Sequence, residues 1–483
     1  MRSGILALAF LFVLAGRGGA QPADQPARPR NIVLILSDDH RFDFMGFHER
    51  APGFLETPGF DRMAAEGVHV ANAFVNTALC SPSRASILTG MYPHEHEVVD
   101  NQSQLRQGLT LFPEILQAAG YTTAFVGKWH MGEHTDDPQP GFDHWVSFPG
   151  QGVYFDPELN VDGEHREVEG YITDILTEHA LSWLDEVRGG EKPFMLYLSH
   201  KAVHAEFMPA PRHEGRFADV EISYPETMAD TEENYAGKPL WVRAQRSSWH
   251  GVDYLFHGAM TFDELYRGYT ETLLGLDESV SQVLAWLDEH GLAESTLVIY
   301  MSDNGFLLGE HGLIDKRHAY EESMRIPMLV WAPGLVEPGT RIEEMILNVD
   351  VAPTLLDLAG AEIPETMDGT SFLPLLRGET VPWRDEMLFV YYWEYPFPQT
   401  PTVLALRGER YKYIFYHGIW DTNELYDLAE DSHETANLID EPAQDERRLA
   451  MKERLFERLE EANAMYVPFH YPGDWQAAER GPP

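Results

Sequence analysis

Short, continuous apolar segments alternate with segments of helical periodicity along most of the chain. The first apolar segment, 31–37, is rich in β-branched residues and is typical of a strand buried on both faces. Comparable segments lie at 121–126, 194–199, 296–302 and 326–331. Apolar residues recur at helical spacing in 111–119, 172–187, 265–290 and 351–358. This alternation predicts an α/β fold in which helices flank a mostly parallel central sheet.

The pattern changes near residue 377. Short strand-like segments then lie at 387–392, 403–407 and 411–416, and a helical segment lies at 445–464. We therefore predict a smaller C-terminal α+β subdomain over 378–470, after a first domain at 31–377 and before a tail at 471–483. The polar stretch 211–246 has no clear period, which predicts an insertion or long loop.

The first thirty residues have the composition of a targeting segment. A basic start, an apolar run at 4–15 and small residues up to Ala20 predict a signal peptide at 1–20, followed by a Pro-rich linker at 21–30. The apolar run is too short to span a bilayer comfortably. We expect an exported protein, periplasmic or secreted, without a membrane span. With one cysteine it has no internal disulfide, so its stability must come from its core.

The chain is strongly acidic. It has 78 Asp and Glu against 35 Lys and Arg, a formal net charge of −43. This balance argues against nucleic acid as a partner, because phosphate binding needs a dominant basic surface. An anionic substrate would need a local basic pocket.

Polar residues follow two of the predicted strands. Asp38 and Asp39 end the first one, and Asp303 and Asn304 end the strand at 296–302. Open α/β sheets place their sites at the carboxyl ends of strands. Either pair alone is compatible with turn chemistry. Together their oxygen atoms favour a Ca²⁺ or Mg²⁺ site, whereas no Cys/His cluster suggests zinc.

The single cysteine lies in an unusual segment, Cys80-Ser81-Pro82-Ser83-Arg84. A lone cysteine is usually a small buried hydrophobic residue. Finding proline two positions after it and arginine two positions further on is rarer by chance than roughly one in a hundred. The segment therefore indicates chemistry at Cys80.

Four further residues have side chains suited to binding an anion or moving a proton. Lys128 and His130 are one residue apart in an extended segment, so their side chains point the same way. His204 follows the predicted strand at 194–199, and Lys316 lies shortly after the Asp-Asn pair. Singly, each is compatible with a solvated surface or a structural histidine.

These motifs together resemble those of the type I sulfatases, a formylglycine-dependent family of the alkaline phosphatase superfamily. The resemblance runs from about residue 30 to 438, since Asn423–Leu428 also resembles the C-terminal segment of that family. It implies an alkaline-phosphatase-like fold, a bound Ca²⁺ (Mg²⁺ is the alternative) and oxidation of Cys80 to formylglycine by a formylglycine-generating enzyme.

The resemblance also implies a role for each site residue. The metal ligands would be Asp38, Asp39, Asp303, Asn304 and an oxygen of the modified Cys80, and the catalytic residues Cys80, Arg84, Lys128, His130, His204 and Lys316. One departure concerns His204, which is flanked by Val203 and Glu206 where the family often has proline. His200 is the alternative residue for that role.

Sulfate removal from a sulfated carbohydrate is the predicted function. The segment 391–397 motivates the carbohydrate, because its aromatic rings and Glu394 suit a sugar, although a role in the subdomain core fits nearly as well. Three alternatives stay open: a phosphonate or phosphate ester hydrolase of the same fold, an arylsulfatase, and a non-catalytic carbohydrate-binding protein.

Overall fold

The computed structural model describes residues 30–255 and 260–468. The predicted signal peptide, all but the last residue of the linker, and the tail at 471–483 lie outside these residues. Ten strands form one large sheet. In chain order, β1 to β10 span Asn31–Ser37, Val68–Phe74, Thr122–Lys128, His144–Phe148, Glu158–Val161, Glu164–Glu167, Phe194–Ser199, Thr296–Ser302, Met328–Trp331 and Thr340–Leu347.

The sheet order is β10-β2-β9-β8-β1-β7-β3-β4-β5-β6, and only β5 and β9 run against the other strands. The helices α1 to α11 span Pro58–Glu66, Cys80–Thr89, Pro93–His96, Phe112–Ala118, Ile172–Val187, Leu240–Ala244, Phe262–Glu289, Glu321–Met324, Val351–Ala359, Leu373–Leu376 and Asp445–Glu461. None of the helices in the described part of the chain is both long and apolar enough to cross a membrane. The predicted, mostly parallel α/β fold is confirmed.

Both faces of the large sheet are covered. Alternate residues of β1 belong to different hydrophobic clusters: Leu34 packs with the cluster that includes α2, α4 and α9, and Val33 packs with the cluster that includes α1, α5 and α7. A strand buried on both faces has no polar alternation, which is why the sequence pattern found β1 with its bounds.

Other elements were missed for definable reasons. Strand β2 carries the polar residues His69 and Asn72, and β4 to β6 are short strands at one end of the sheet. Helix α2 is buried on all sides, so it lacks the periodicity of a half-exposed helix. The stretch 211–246 contains the whole of the short helix α6, a 3₁₀ turn at Glu226–Met228 and the start of another at Gln245–Ser247, and is otherwise loop, in agreement with the long loop that was one of the two predictions for it.

A second, antiparallel sheet follows the large sheet in the chain. Its strands β11 to β14 span Glu386–Tyr391, Thr402–Gly408, Tyr411–His417 and Glu424–Asp427, in that spatial order. Helix α11 packs on it through Leu455 and Leu459. The predicted smaller α+β unit is therefore present, with β14 as an additional strand.

Candidate active site

Strands β1 and β8 bring the two acidic pairs together. They are parallel neighbours in which Ser37 pairs with Ser302, so the residues that follow leave the same edge side by side. The Asp39 backbone N–H donates to Asp303 Oδ1 at 3.3 Å, and Asn304 Nδ2 donates to Asp39 Oδ1 at 2.6 Å. The register of two buried strands thus assembles the predicted cluster.

The donor set of this cluster suits a hard divalent cation. One carboxylate oxygen from each of Asp38, Asp39 and Asp303 lies within 4.8 Å of the others, and all three residues are buried. Three buried carboxylates at this spacing repel one another unless cations lie between them. Within the described residues, the buried Asn304 Oδ1 has no hydrogen-bond partner, so it is free to act as a further oxygen ligand.

Cys80 is the first residue of α2, where the helix N-terminus faces the carboxylate cluster. Its thiol donates to Asp38 Oδ1 at 3.4 Å, and Lys316 Nζ lies 2.8 Å from its Sγ. Burial and the neighbouring Asp38 raise the pKa of the Cys80 thiol to about 12. As an unmodified cysteine this residue is therefore a neutral thiol and a weak nucleophile.

Arg84, one helical turn after Cys80, connects the acidic cluster to the neighbouring strands. Its guanidinium contacts Asp303 Oδ2 at 2.8 Å and Asp38 Oδ2 at 3.3 Å, and it donates to Ser199 Oγ at 2.7 Å. Lys128, at the end of β3, donates to Asp38 as well. Burial raises the pKa of Asp38, but Lys128, His204 and Arg84 lower it well below its usual range. Asp38 is therefore an anion held between cations.

His130 lies beside the helix that begins with Cys80. Its Nδ1 is 3.4 Å from Ser81 Oγ, while its Nε2 is buried and has no hydrogen-bond partner in the part of the chain that the structure describes. Burial and the nearby Lys128 lower the pKa of His130 well below its ordinary value. The imidazole is therefore neutral here, with one nitrogen available to a group bound at the site.

Gly127 allows strand β3 to lie close to β7 at the point where β3 places Lys128 and His130 in the site. It has φ of 127°, and a Cβ at this position would lie 1.7 Å from the Ser199 carbonyl oxygen of the adjacent strand. We expect Gly127→Ala to lower the free energy of unfolding by more than about 3 kcal/mol, because both the φ value and the clash oppose a side chain. Denaturant unfolding measures this, and Gly163→Ala, at a positive-φ turn where nothing lies within 4 Å, is the matched control. Equal losses in both variants would contradict the prediction.

His204 lies in the loop after β7, close to the acidic cluster. Its Nε2 is 3.9 Å from Asp39 Oδ2, and its Nδ1 is hydrogen-bonded to the Ala205 carbonyl at 2.8 Å. His200, the alternative, is fully buried and contacts Ser279 of α7 at 3.0 Å. The structure thus places His204, and not His200, beside the cluster.

A cavity of about 660 Å³ opens above these residues. Asp39, His204 and Lys316 form part of its lining, so the acidic cluster is accessible from it. The wall also contains residues to which the sequence motifs gave no role, namely Asn101, Gln151, Tyr154, Lys201, Trp249, His250, Asp315 and Arg317. Only Asp315 and Arg317 had a signal that could have found them, since they flank Lys316. Trp249 and His250 come from the segment after the insertion, which has no recognisable motif.

The C-terminal unit contributes one wall of the cavity. Arg317 donates to Asp315 at 2.8 Å and to Glu394, and its guanidinium lies 3.9 Å above the Phe397 ring. Tyr391, by contrast, is buried in the sheet. The aromatic segment at 391–397 therefore has both expected roles: its first residues form core, and its last ones line the cavity.

Comparison with known proteins assigns the fold and the site to a class. The sulfatase family matches residues 30–361, and the family of the C-terminal part of N-sulphoglucosamine sulphohydrolase matches residues 309–461. The chain belongs to the sulfatase family, and it is a sulfuric ester hydrolase.

Several individual proteins are similar over most of the chain. The N-acetylglucosamine-6-O-sulfatase of Bacteroides thetaiotaomicron is 32% identical over 505 aligned positions, covering 92% of this chain and 88% of that protein. Human N-acetylglucosamine-6-sulfatase is 31% identical, covering 79% and 70%. The structure of BT4656 in complex with its substrate D-glucosamine-2-N,6-O-disulfate has a TM-score of 0.83 at 30% identity, covering 91% and 99%. The phosphonate monoester hydrolase of Agrobacterium radiobacter has the same fold, with a TM-score of 0.76 at 20% identity over 90% and 96%.

Proposed function

We propose that this protein removes the 6-O-sulfate from sulfated glucosamine residues of a carbohydrate. The observation that carries the proposal is the position of Cys80 among Asp38, Arg84 and Lys316, below a cavity large enough for a sugar. The names of the similar enzymes support the sugar and the position of the sulfate. The aromatic and charged wall around Arg317 and Phe397 suits a saccharide, because sugar rings offer apolar faces and hydroxyl groups.

We assign the metal site to Asp38, Asp39, Asp303 and Asn304, with the modified Cys80 completing the ligand set. Buried carboxylates and the unpartnered amide oxygen of Asn304 fit Ca²⁺, which takes six to eight oxygen ligands in flexible geometry. When bound, the cation supplies Lewis-acid stabilisation of negative charge on the sulfate oxygens.

Conversion of Cys80 to formylglycine fits the same geometry. A hydrated aldehyde supplies an oxygen nucleophile, which the neutral thiol of the unmodified residue does not provide. Arg84 and Lys128 hold the residue in place and compensate negative charge around it, since both are buried and fixed by Asp38. We assign to His130, whose buried Nε2 has no hydrogen-bond partner among the described residues, the role of accepting a hydrogen bond from the modified side chain.

The leaving sugar oxygen requires a proton, because an unactivated alkoxide is a poor leaving group. Two residues of the cavity wall are candidates to donate it: Lys316, and His204 in its protonated form, which burial disfavours by lowering the pKa of His204 well below its ordinary value. Lys316 Nζ is 2.8 Å from the Cys80 sulfur, and His204 has its Nε2 close to Asp39. These contacts support a role for one of the two groups at the ester oxygen.

A comparison of matched esters tests this function. We expect the purified protein, expressed in a host that converts the cysteine, to release sulfate from N-acetylglucosamine 6-sulfate with kcat/KM at least about 100-fold above that for the 6-phosphate. Ion chromatography measures both anions. Preference for the phosphate, or for a phosphonate monoester, would favour the alternative hydrolase. Sulfate release from aryl esters alone would favour an arylsulfatase.

Maturation and location form part of the same proposal. A signal peptide that is cleaved after Ala20 would direct the protein to the periplasm or beyond, and a formylglycine-generating enzyme would be its partner before or during export. We divide the mature chain at residue 377 into the catalytic domain and the C-terminal subdomain.

A further inference from the structure

Lys201 differs from the other two lysine and arginine residues that line the cavity because it has no carboxylate partner. Lys316 lies 2.5 Å from an oxygen of Asp39, and Arg317 lies 2.8 Å from an oxygen of Asp315. Within residues 30–255 and 260–468, no carboxylate oxygen lies within 4.0 Å of Lys201 Nζ, whose hydrogen bond is to the Ala205 carbonyl at 3.3 Å.

The surroundings of Lys201 hold its ammonium group at the cavity wall. The residue is only 4% exposed, and Nζ lies 4.7 Å from the centre of the Tyr154 ring. The Tyr154 hydroxyl donates to the His204 carbonyl at 2.5 Å, which fixes the ring relative to this loop. Burial and Lys128 lower the pKa of Lys201 to about 8, although Asp38, Glu206 and Asp39 act in the opposite direction from beyond contact distance. The acid of this loop, Glu206, is exposed.

A buried ammonium group without an anion in direct contact is unfavourable, and a ligand that supplies the contacting anion would relieve this. The position of Lys201 argues against the sulfate that is cleaved. Lys128 contacts Asp38, and Lys316 contacts the sulfur of Cys80. The contacts of Lys201 are instead with Tyr154 and Ala205.

We infer that Lys201 binds a second anionic substituent of the sugar, such as an N-sulfate, and so selects doubly charged substrates. This inference rests on the proposed function, because it needs a sulfated sugar in the cavity. Lys201 is then a specificity-determining residue at the wall of the same cavity, which the sequence motifs did not identify.

Isothermal titration calorimetry on the Cys80→Ala variant tests the inference, because this variant binds the sugar without hydrolysing it. The variant is the background protein for the further substitutions. The two ligands are D-glucosamine-2-N,6-O-disulfate and N-acetylglucosamine 6-sulfate, which differ in the second anionic group. We expect the background protein to prefer the disulfate by about tenfold or more, and Lys201→Gln to remove that preference. Lys192→Gln removes an exposed lysine, just before β7, and should retain the preference. Lys201→Arg keeps the charge and should retain part of it.

Three results would overturn the inference. In the first, Lys201→Gln weakens the binding of both ligands equally, which would assign the lysine to the cleaved sulfate or to the fold. In the second, Lys201→Gln leaves the preference for the disulfate intact. If neither sugar binds while Lys201 is present, the proposed sugar class fails together with the inference. Thermal unfolding of the glutamine and arginine variants separates a loss of binding from a loss of folding.

Discussion

Cys80→Ala is expected to lower kcat by at least about 10⁴-fold, because it removes the atom from which the nucleophile is made. The same change should alter stability little. The Cys80 side chain is small, and its two polar contacts are to Asp38 and Lys316. When it is removed, Asp38 keeps its contact with Lys128, and Lys316 keeps its contact with Asp39. Turnover of N-acetylglucosamine 6-sulfate and the thermal midpoint measure the two effects separately.

Ser86→Ala is the matched control on the same helix. Ser86 is equally buried, but its hydroxyl contacts His96 and Asn76 on the side away from the carboxylates. We expect this variant to lose about 1–3 kcal/mol of its free energy of unfolding while keeping turnover within about threefold of the unsubstituted protein.

The peptide around Cys80 in the unsubstituted protein should be about 18 Da lighter than the thiol form, as CH₂SH becomes CHO. Retention of more than one hundredth of the turnover by Cys80→Ala would contradict the role.

The sequence predicted those parts of the fold that are buried on both faces. Strand β1 and strand β8 have their predicted bounds, because continuous apolar runs arise where both faces of a strand are covered. Strand β10 was missed because exposed residues such as Glu343 interrupt its apolar pattern at the edge of the sheet. Helix α2 was missed because a fully buried helix has no polar face.

The site residues also fall into two groups: those that the local sequence pattern predicts, and those whose role depends on the tertiary structure. Asp38 and Asp303 were found because strand ends are recognisable in one dimension, and their register then places them side by side. Lys201 and His250 were not assigned, since their importance depends on which loops meet above the sheet. No local pattern encodes that meeting: His250 lies 3.3 Å from Asp315, which is 65 positions later in the chain.

Removal of divalent cations is expected to abolish turnover and to lower the thermal midpoint of the unsubstituted protein. Asp38, Asp39 and Asp303 are buried together, so a bound cation stabilises the folded state, whereas the unfolded chain has no such cluster. At a Ca²⁺ concentration 100 times the dissociation constant, binding adds about 2.7 kcal/mol to the free energy of unfolding. Chelation followed by Ca²⁺ addition, monitored by calorimetry, measures the shift independently of activity.

Asp303→Asn should eliminate most of this Ca²⁺-dependent shift. The substitution also removes a partner of buried Arg84, so a general loss of stability must be separated from a loss of metal binding. Asp350→Asn is the control, because Asp350 is a fully buried aspartate paired with Arg384 outside the cluster. It should lower the midpoint in every buffer yet keep the full Ca²⁺-dependent increase. A full increase in Asp303→Asn would contradict the assigned ligand set, and an equal or larger increase with Mg²⁺ would contradict the choice of Ca²⁺ while leaving the site in place.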